Sequence, residues 1–130
     1  ALAGVSMASH FDLYVPVELV SEANQREHWA VKSKRKKRQR ELVRLYWKLS
    51  GSPTVEAPIK MKLVRLHTSR RKIRDFDNLI GSFKAVIDEV SELLGVDDST
   101  IRWPELRSEA FSQRQAVQMG CRIEVERWTG

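Results

Sequence analysis

The chain has a single cysteine, Cys121, among its 130 residues. That excludes an internal disulfide and a cysteine-built metal cluster, and it suits a reducing cytoplasm. No apolar run approaches the roughly 20 residues that a membrane-spanning helix needs, so no membrane partner is expected. The opening ALAGVSMASHF lacks a basic region ahead of its small residues and does not read as a secretory signal. Residues 1–10 are expected to be a disordered or vector-derived start, with Met7 as initiator. The three histidines, His10, His28 and His67, show no ligand spacing. P-loop, dinucleotide and nucleophile-elbow motifs are likewise missing.

What is present is a single-domain length, 1–130, with 42% apolar residues, enough for one modest core. Lys and Arg total 23 against 17 Asp and Glu, a formal charge of +6. An excess of that sign favours a polyanionic partner, nucleic acid before membrane.

FDLYVPVEL (11–19) alternates as a strand does, with Pro16 placing it at an edge or an end. From Ala30 to Leu49 neither proline nor glycine interrupts a helix-favouring run. Its front half, KSKRKKRQR, is nearly all cationic. Its back half carries Leu42, Val43, Leu45, Tyr46 and Leu49, a stripe suited to docking on a sheet. GSPTVEAP (51–58) reads as a loop. IKMKLVRLH sets Ile59, Met61, Leu63 and Leu66 against Lys60, Lys62 and Arg65, with a slip near Val64: a strand with a basic outer face. Apolar residues then recur at helical spacing from 78 to 94, with Asp77 or Asn78 as N-cap and Gly95 as the stop. IRWPELRSEAF is a strand disturbed by Pro104, SQRQ a turn, and AVQMGCRIEVERW the closing strand. The expected fold is α+β: a mixed sheet of about four strands with two helices, in the order β-α-β-α-β-β.

The stretch SRRKIRDFDNLIG carries the chemistry. Asp75 and Asp77 stand at i and i+2 where an extended segment ends, so both carboxylates share a face, with Cα atoms roughly 6.5 Å apart. Two carboxylates so placed can hold one hard cation or bridge two. Mg²⁺ keeps waters and leaves room for a phosphate oxygen, which suits metal-assisted phosphodiester hydrolysis. The same residues also fit a plain N-cap with ion pairs to nearby cations. Arg70, Arg71, Lys72 and Arg74 would hold phosphate beside such a metal. Lys34, Arg35, Lys36, Lys37, Arg38 and Arg40, together with Lys32, ring the first helix and form a second candidate DNA contact, or else a solvated arm. Trp29, beside them, is a candidate for base stacking, whereas Trp47 is expected in the core. Asp97 and Asp98, taken alone, read as a turn or cap.

RDFDNL, a helix, then VDDST resembles the core of the RusA-like Holliday-junction resolvases: basic residues, D-x-D-N-L, a helix, then D-D. The resemblance implies a small homodimeric, Mg²⁺-dependent endodeoxyribonuclease acting on branched DNA such as four-way junctions, with Mn²⁺ able to substitute. It makes Asp75 and Asp77 the paired metal ligands and Asp98 the third catalytic acid, with Asp97 beside it. The family's lysine, four residues after the second aspartate, is here Gly81. Lys84, one turn further on, is the candidate substitute, or an i,i+4 partner of Asp88. A straight 17-residue helix spans roughly 25 Å and would part Asp98 from Asp75. Either the loop at Gly95 doubles back, or the helix is shorter, or the third acid comes from a two-fold partner; the last is the expectation adopted.

Overall fold

Strands whose residues alternate between buried and exposed build the body of the molecule. The computed structural model describes residues 6–19, 29–67, 81–110 and 120–128. In chain order the elements are β1 (Ser6–Ala8), β2 (His10–Val15), α1 (Trp29–Leu49), β3 (Pro53–Val55), β4 (Ile59–His67), α2 (Lys84–Leu94), β5 (Arg102–Ala110) and β6 (Gly120–Arg127). Four strands form one mixed sheet in the order β2-β6-β4-β5, antiparallel except for the β4–β5 pair. This is the expected α+β class and element order.

Cross-strand partners share a face. Phe11, Leu13 and Val15 oppose Val125, Ile123 and Cys121, which in turn oppose Met61, Leu63 and Arg65. This face packs against Val43 of α1 and Phe83, Val86 and Val90 in one hydrophobic cluster. Trp47, expected in the core, is half-buried and packs against the cluster's edge, its Nε1 donating to the Pro53 carbonyl at 2.8 Å.

Four local readings change. Ser6–Ala8, inside the stretch expected to be disordered or vector-derived, pair in parallel with Pro53–Val55, so the 51–58 loop contains a short strand. The expected slip near Val64 is absent, because β4 and β6 stay in continuous register from Ile59 to Leu66. Arg65 is instead buried on the helix-covered face, its Nε donating to the Leu19 carbonyl at 3.0 Å. A guanidinium can take such a place when a carbonyl accepts from it. The disturbance lies at β5: Lys60 pairs with Arg102 and Lys62 with Glu105, so Trp103 and Pro104 together stand against Met61 alone. β5 is an edge strand, where proline and a bulge are tolerated.

The last change concerns the second helix. Its main run is Lys84–Leu94; Gly81 and Ser82 are also helical, so the single helix expected over 78–94 is interrupted at the wholly buried Phe83 (φ −88°, ψ −5°). The N-cap assigned to Asp77 or Asn78 lies outside the described residues. Its end is as expected: Gly95 takes φ +67°, its N–H donates to the Glu92 carbonyl, and the Val96 N–H donates to that of Ser91. This double closure favours glycine at the left-handed position.

Candidate functional site

α1 is seated by its least basic residues. Gln39 and Val43 are buried, and Gln39 Nε2 donates to the Glu18 carbonyl at 2.8 Å. Around that anchor the cations divide into two groups. Lys34, Lys37 and Arg38 point to solvent, while Lys32, Arg35 and Lys36 are half-buried, as expected of long stems lying along apolar surface. Lys32, Lys34, Lys36, Lys37 and Arg38 have no acid partner among the described residues. Trp29 is exposed at the start of the helix.

Arg40 belongs to the second group. Its Nε lies 3.3 Å from Glu89 Oε1 and its Nη2 bonds Glu92, both on α2. One turn on, Arg44 Nη2 donates to both oxygens of Glu89, at 3.0 and 3.3 Å. The hydrogen bonds and negative charge of Glu89 push the Arg44 guanidinium pKa upward. Glu89 is 0% exposed, and a carboxylate in that position must be paired. Arg40 is therefore shared between two acids of α2 in this structure. The Arg40, Arg44 and Glu89 clasp is absent from the sequence reading. Its signal was present: Glu89 lies inside the apolar arc of α2, between Val86 and Val90, and Arg40 and Arg44 are spaced i,i+4.

Of the acids, Asp97 and Asp98 are exposed. Asp97 caps a one-turn 3₁₀ helix, Asp98–Thr100: its Oδ1 accepts from the Ser99 N–H at 2.9 Å and from the Ser99 hydroxyl at 2.8 Å. These two donors hold the Asp97 carboxyl below the usual range. Lys84 is exposed at the first turn of α2, and no ion pair joins it to Asp88 among the described residues. Asp75, Asp77, Arg70, Arg71, Lys72 and Arg74 lie outside the described residues.

Topology still constrains how these acids can meet. β4 and β5 are parallel, so the chain enters β5 beside Lys60 and leaves β4 at His67, at opposite ends of the sheet. Asp98 precedes the first of those points and Asp75 follows the second. β4, with nine residues, is about 26 Å long. Asp75 stands eight positions beyond His67, a reach of at most about 29 Å. A cluster of Asp75 and Asp98 from one chain would therefore use most of that reach.

The outer face of the sheet differs from the expected basic surface. Lys60 Nζ is 2.5 Å from Glu126 Oε1, and Lys62 Nζ is 3.7 Å from Glu124 Oε2. Together with His10 and Asp12 these residues line a depression of about 410 Å³. Its lysines are matched by glutamates, whereas Lys34, Lys37 and Arg38 of α1 have no acid partner among the described residues. Among the described residues no group of three or more metal-ligating side chains is placed to hold an ion. Cys121 is buried, and burial pushes its thiol pKa up, far from the reactive thiolate range. No described helix is long and apolar enough to cross a membrane.

No family model matches the chain. An uncharacterized protein of Xylella fastidiosa (strain Temecula1) is 29% identical over 101 residues, covering 75% of this chain. The match takes in 65% of that protein's length, so the chain spans a little under two thirds of the relative.

Proposed function

We propose that the chain is a Mg²⁺-dependent, structure-selective endodeoxyribonuclease of RusA-like type, acting as a cytoplasmic homodimer on branched DNA such as Holliday junctions. The observation that supports this most is the setting of its acids. RDFDNL follows β4, Asp97 and Asp98 follow α2, and β5 then returns parallel to β4. Asp75, Asp77 and Asp98 are the residues to hold the ion. Asp98 is exposed, and an aspartate offers hard oxygen donors of the kind Mg²⁺ takes; Asp97 stands beside it, its Oδ1 accepting from Ser99. A bound Mg²⁺ would supply an activated water and a counter-charge for the leaving oxygen. The chain's own part is to grip phosphate with Arg70, Arg71, Lys72 and Arg74, to orient the duplex arms with the unpaired cations of α1, and to meet developing charge with Lys84.

Gly81 favours a second reading, in which the same fold grips junctions without cutting them, since glycine offers neither charge nor proton at the family's lysine position. Incubating wild type and Asp77→Asn with a labelled four-way junction and Mg²⁺ separates the two. The substitution removes charge at nearly constant shape. Cleavage by wild type only, with binding by both, is the expected result. Binding without cleavage by either protein supports the second reading. Equal affinity for junction, duplex and single strand contradicts both.

A further inference from the structure

Between α1 and α2 lies a groove of about 510 Å³, with Lys36, Lys37, Arg40 and Arg44 as its cations and Glu41 and Glu92 as its acids. Lys36 and Lys37 have no acid partner among the described residues. Arg44 is committed to the buried Glu89 through both carboxylate oxygens. Arg40 is not committed in the same way: it gives Glu89 one bond and Glu92 another. Glu92 is 63% exposed, so it gains water when it lets go, and exposed pairs of this kind contribute little. Glu89, by contrast, keeps Arg44 if Arg40 turns away.

We infer that this groove is a phosphate oxyanion site in which Glu92 is a displaceable counter-ion guarding Arg40. A phosphate group entering beside Lys36 and Lys37 takes over the Arg40 guanidinium, whose fork matches phosphate geometry, and Glu92 swings into solvent. In the proposed nuclease, on which this inference rests for its natural ligand, the phosphate belongs to the DNA backbone; a free phosphate offers the same chemistry. The groove then adds one further phosphate contact to the unpaired cations of α1, and Glu92 weakens binding until that contact forms.

The test is duplex binding by fluorescence anisotropy across salt, for wild type, Glu92→Gln, Asp88→Asn and the double variant Arg40→Gln/Glu92→Gln. Asp88 is on the same helix with no ion-pair partner among the described residues, so its variant controls for general loss of negative charge. Glu92→Gln should bind about 5–10-fold tighter than wild type at low salt and steepen the log–log salt slope by about 0.9, one added phosphate. Asp88→Asn should change affinity by less than about twofold, as expected for an unpaired, partly screened surface charge. The double variant should lose the gain. Equal effects of Glu92→Gln and Asp88→Asn, or a gain that survives Arg40→Gln, overturn the inference. If wild type fails to bind DNA at any salt, the nuclease reading fails, and titration with inorganic phosphate decides the groove separately. An Arg40 Nε–Hε resonance that shifts, and shifts more readily in Glu92→Gln, upholds an oxyanion site for free phosphate; a resonance that stays in place overturns it.

Discussion

Replacing Glu89 by glutamine tests whether the helix pair is held by charge. Glu89 is 0% exposed and accepts three hydrogen bonds from Arg40 and Arg44. Glutamine keeps the shape, but its one oxygen can replace only Oε1, and its amide turns donors toward Arg44 where Oε2 accepted. Bonds to charged groups contribute about 1.5–3 kcal/mol and neutral ones about 0.5–1.5, so the change loses about 3 kcal/mol before discounts. The Arg40 and Arg44 side chains are 35% and 46% exposed, so water recovers part of their solvation, and an amide is cheaper to bury than a carboxylate. The net expectation is a loss of about 2 kcal/mol. At an m-value of about 1.5 kcal/mol/M, urea unfolding followed by tryptophan fluorescence should shift its midpoint down by about 1.3 M with the slope unchanged. Asp88→Asn on the same helix should shift stability by less than about 0.5 kcal/mol. A Glu89→Gln midpoint equal to wild type would refute the reasoning, because the clasp would then be ornamental and apolar packing alone would hold α1 to α2.

Two further outcomes are expected. Changing Lys34, Lys37 and Arg38 together to glutamine should flatten the salt slope of DNA binding by up to about 2.7, three phosphates at about 0.9 each, with little change in thermal midpoint because all three point to solvent; an unchanged slope would remove α1 from the DNA interface. Gly81→Lys should fold at least as well as wild type, since a Cβ there meets nothing within 4 Å and lysine is up to about 1 kcal/mol better than glycine in a helix. It should also cut junctions faster, and a stable variant that cuts no faster would contradict the assignment of that position.

Much of the fold was legible because burial follows a period. The alternation in β2, β4 and β6 is read directly from Phe11, Leu13 and Val15, from Ile59, Met61 and Leu63, and from Cys121, Ile123 and Val125, and Gly95 announces the end of α2. What escaped was tertiary. β1 and β3 are three residues each, too short for any period, and they exist because each finds the other. Arg65 looked like a surface cation, yet the Leu19 carbonyl gives it a buried place. The 78–94 pattern reads smoothly through Phe83, where the chain breaks to bury the ring, and neither proline nor glycine marks that spot. At the candidate site, the basic run was plain in sequence, but its division into free cations and clasped arginines depends on Glu89 of another helix. Asp97 behaves as the turn chemistry of its sequence suggests, while the proposed meeting of Asp98 with Asp75 and Asp77 depends on long-range geometry that no local pattern encodes.

The central claim is that Asp75 and Asp77 need a divalent ion between them. Crystals soaked in Mn²⁺ and measured at its absorption edge test this most directly. The account predicts an anomalous peak within bonding distance of both carboxylates, with Asp98 of the same chain or of a two-fold partner completing the shell. A structure in which those oxygens diverge, each bound to an arginine or a backbone amide with no ion near them, would contradict it.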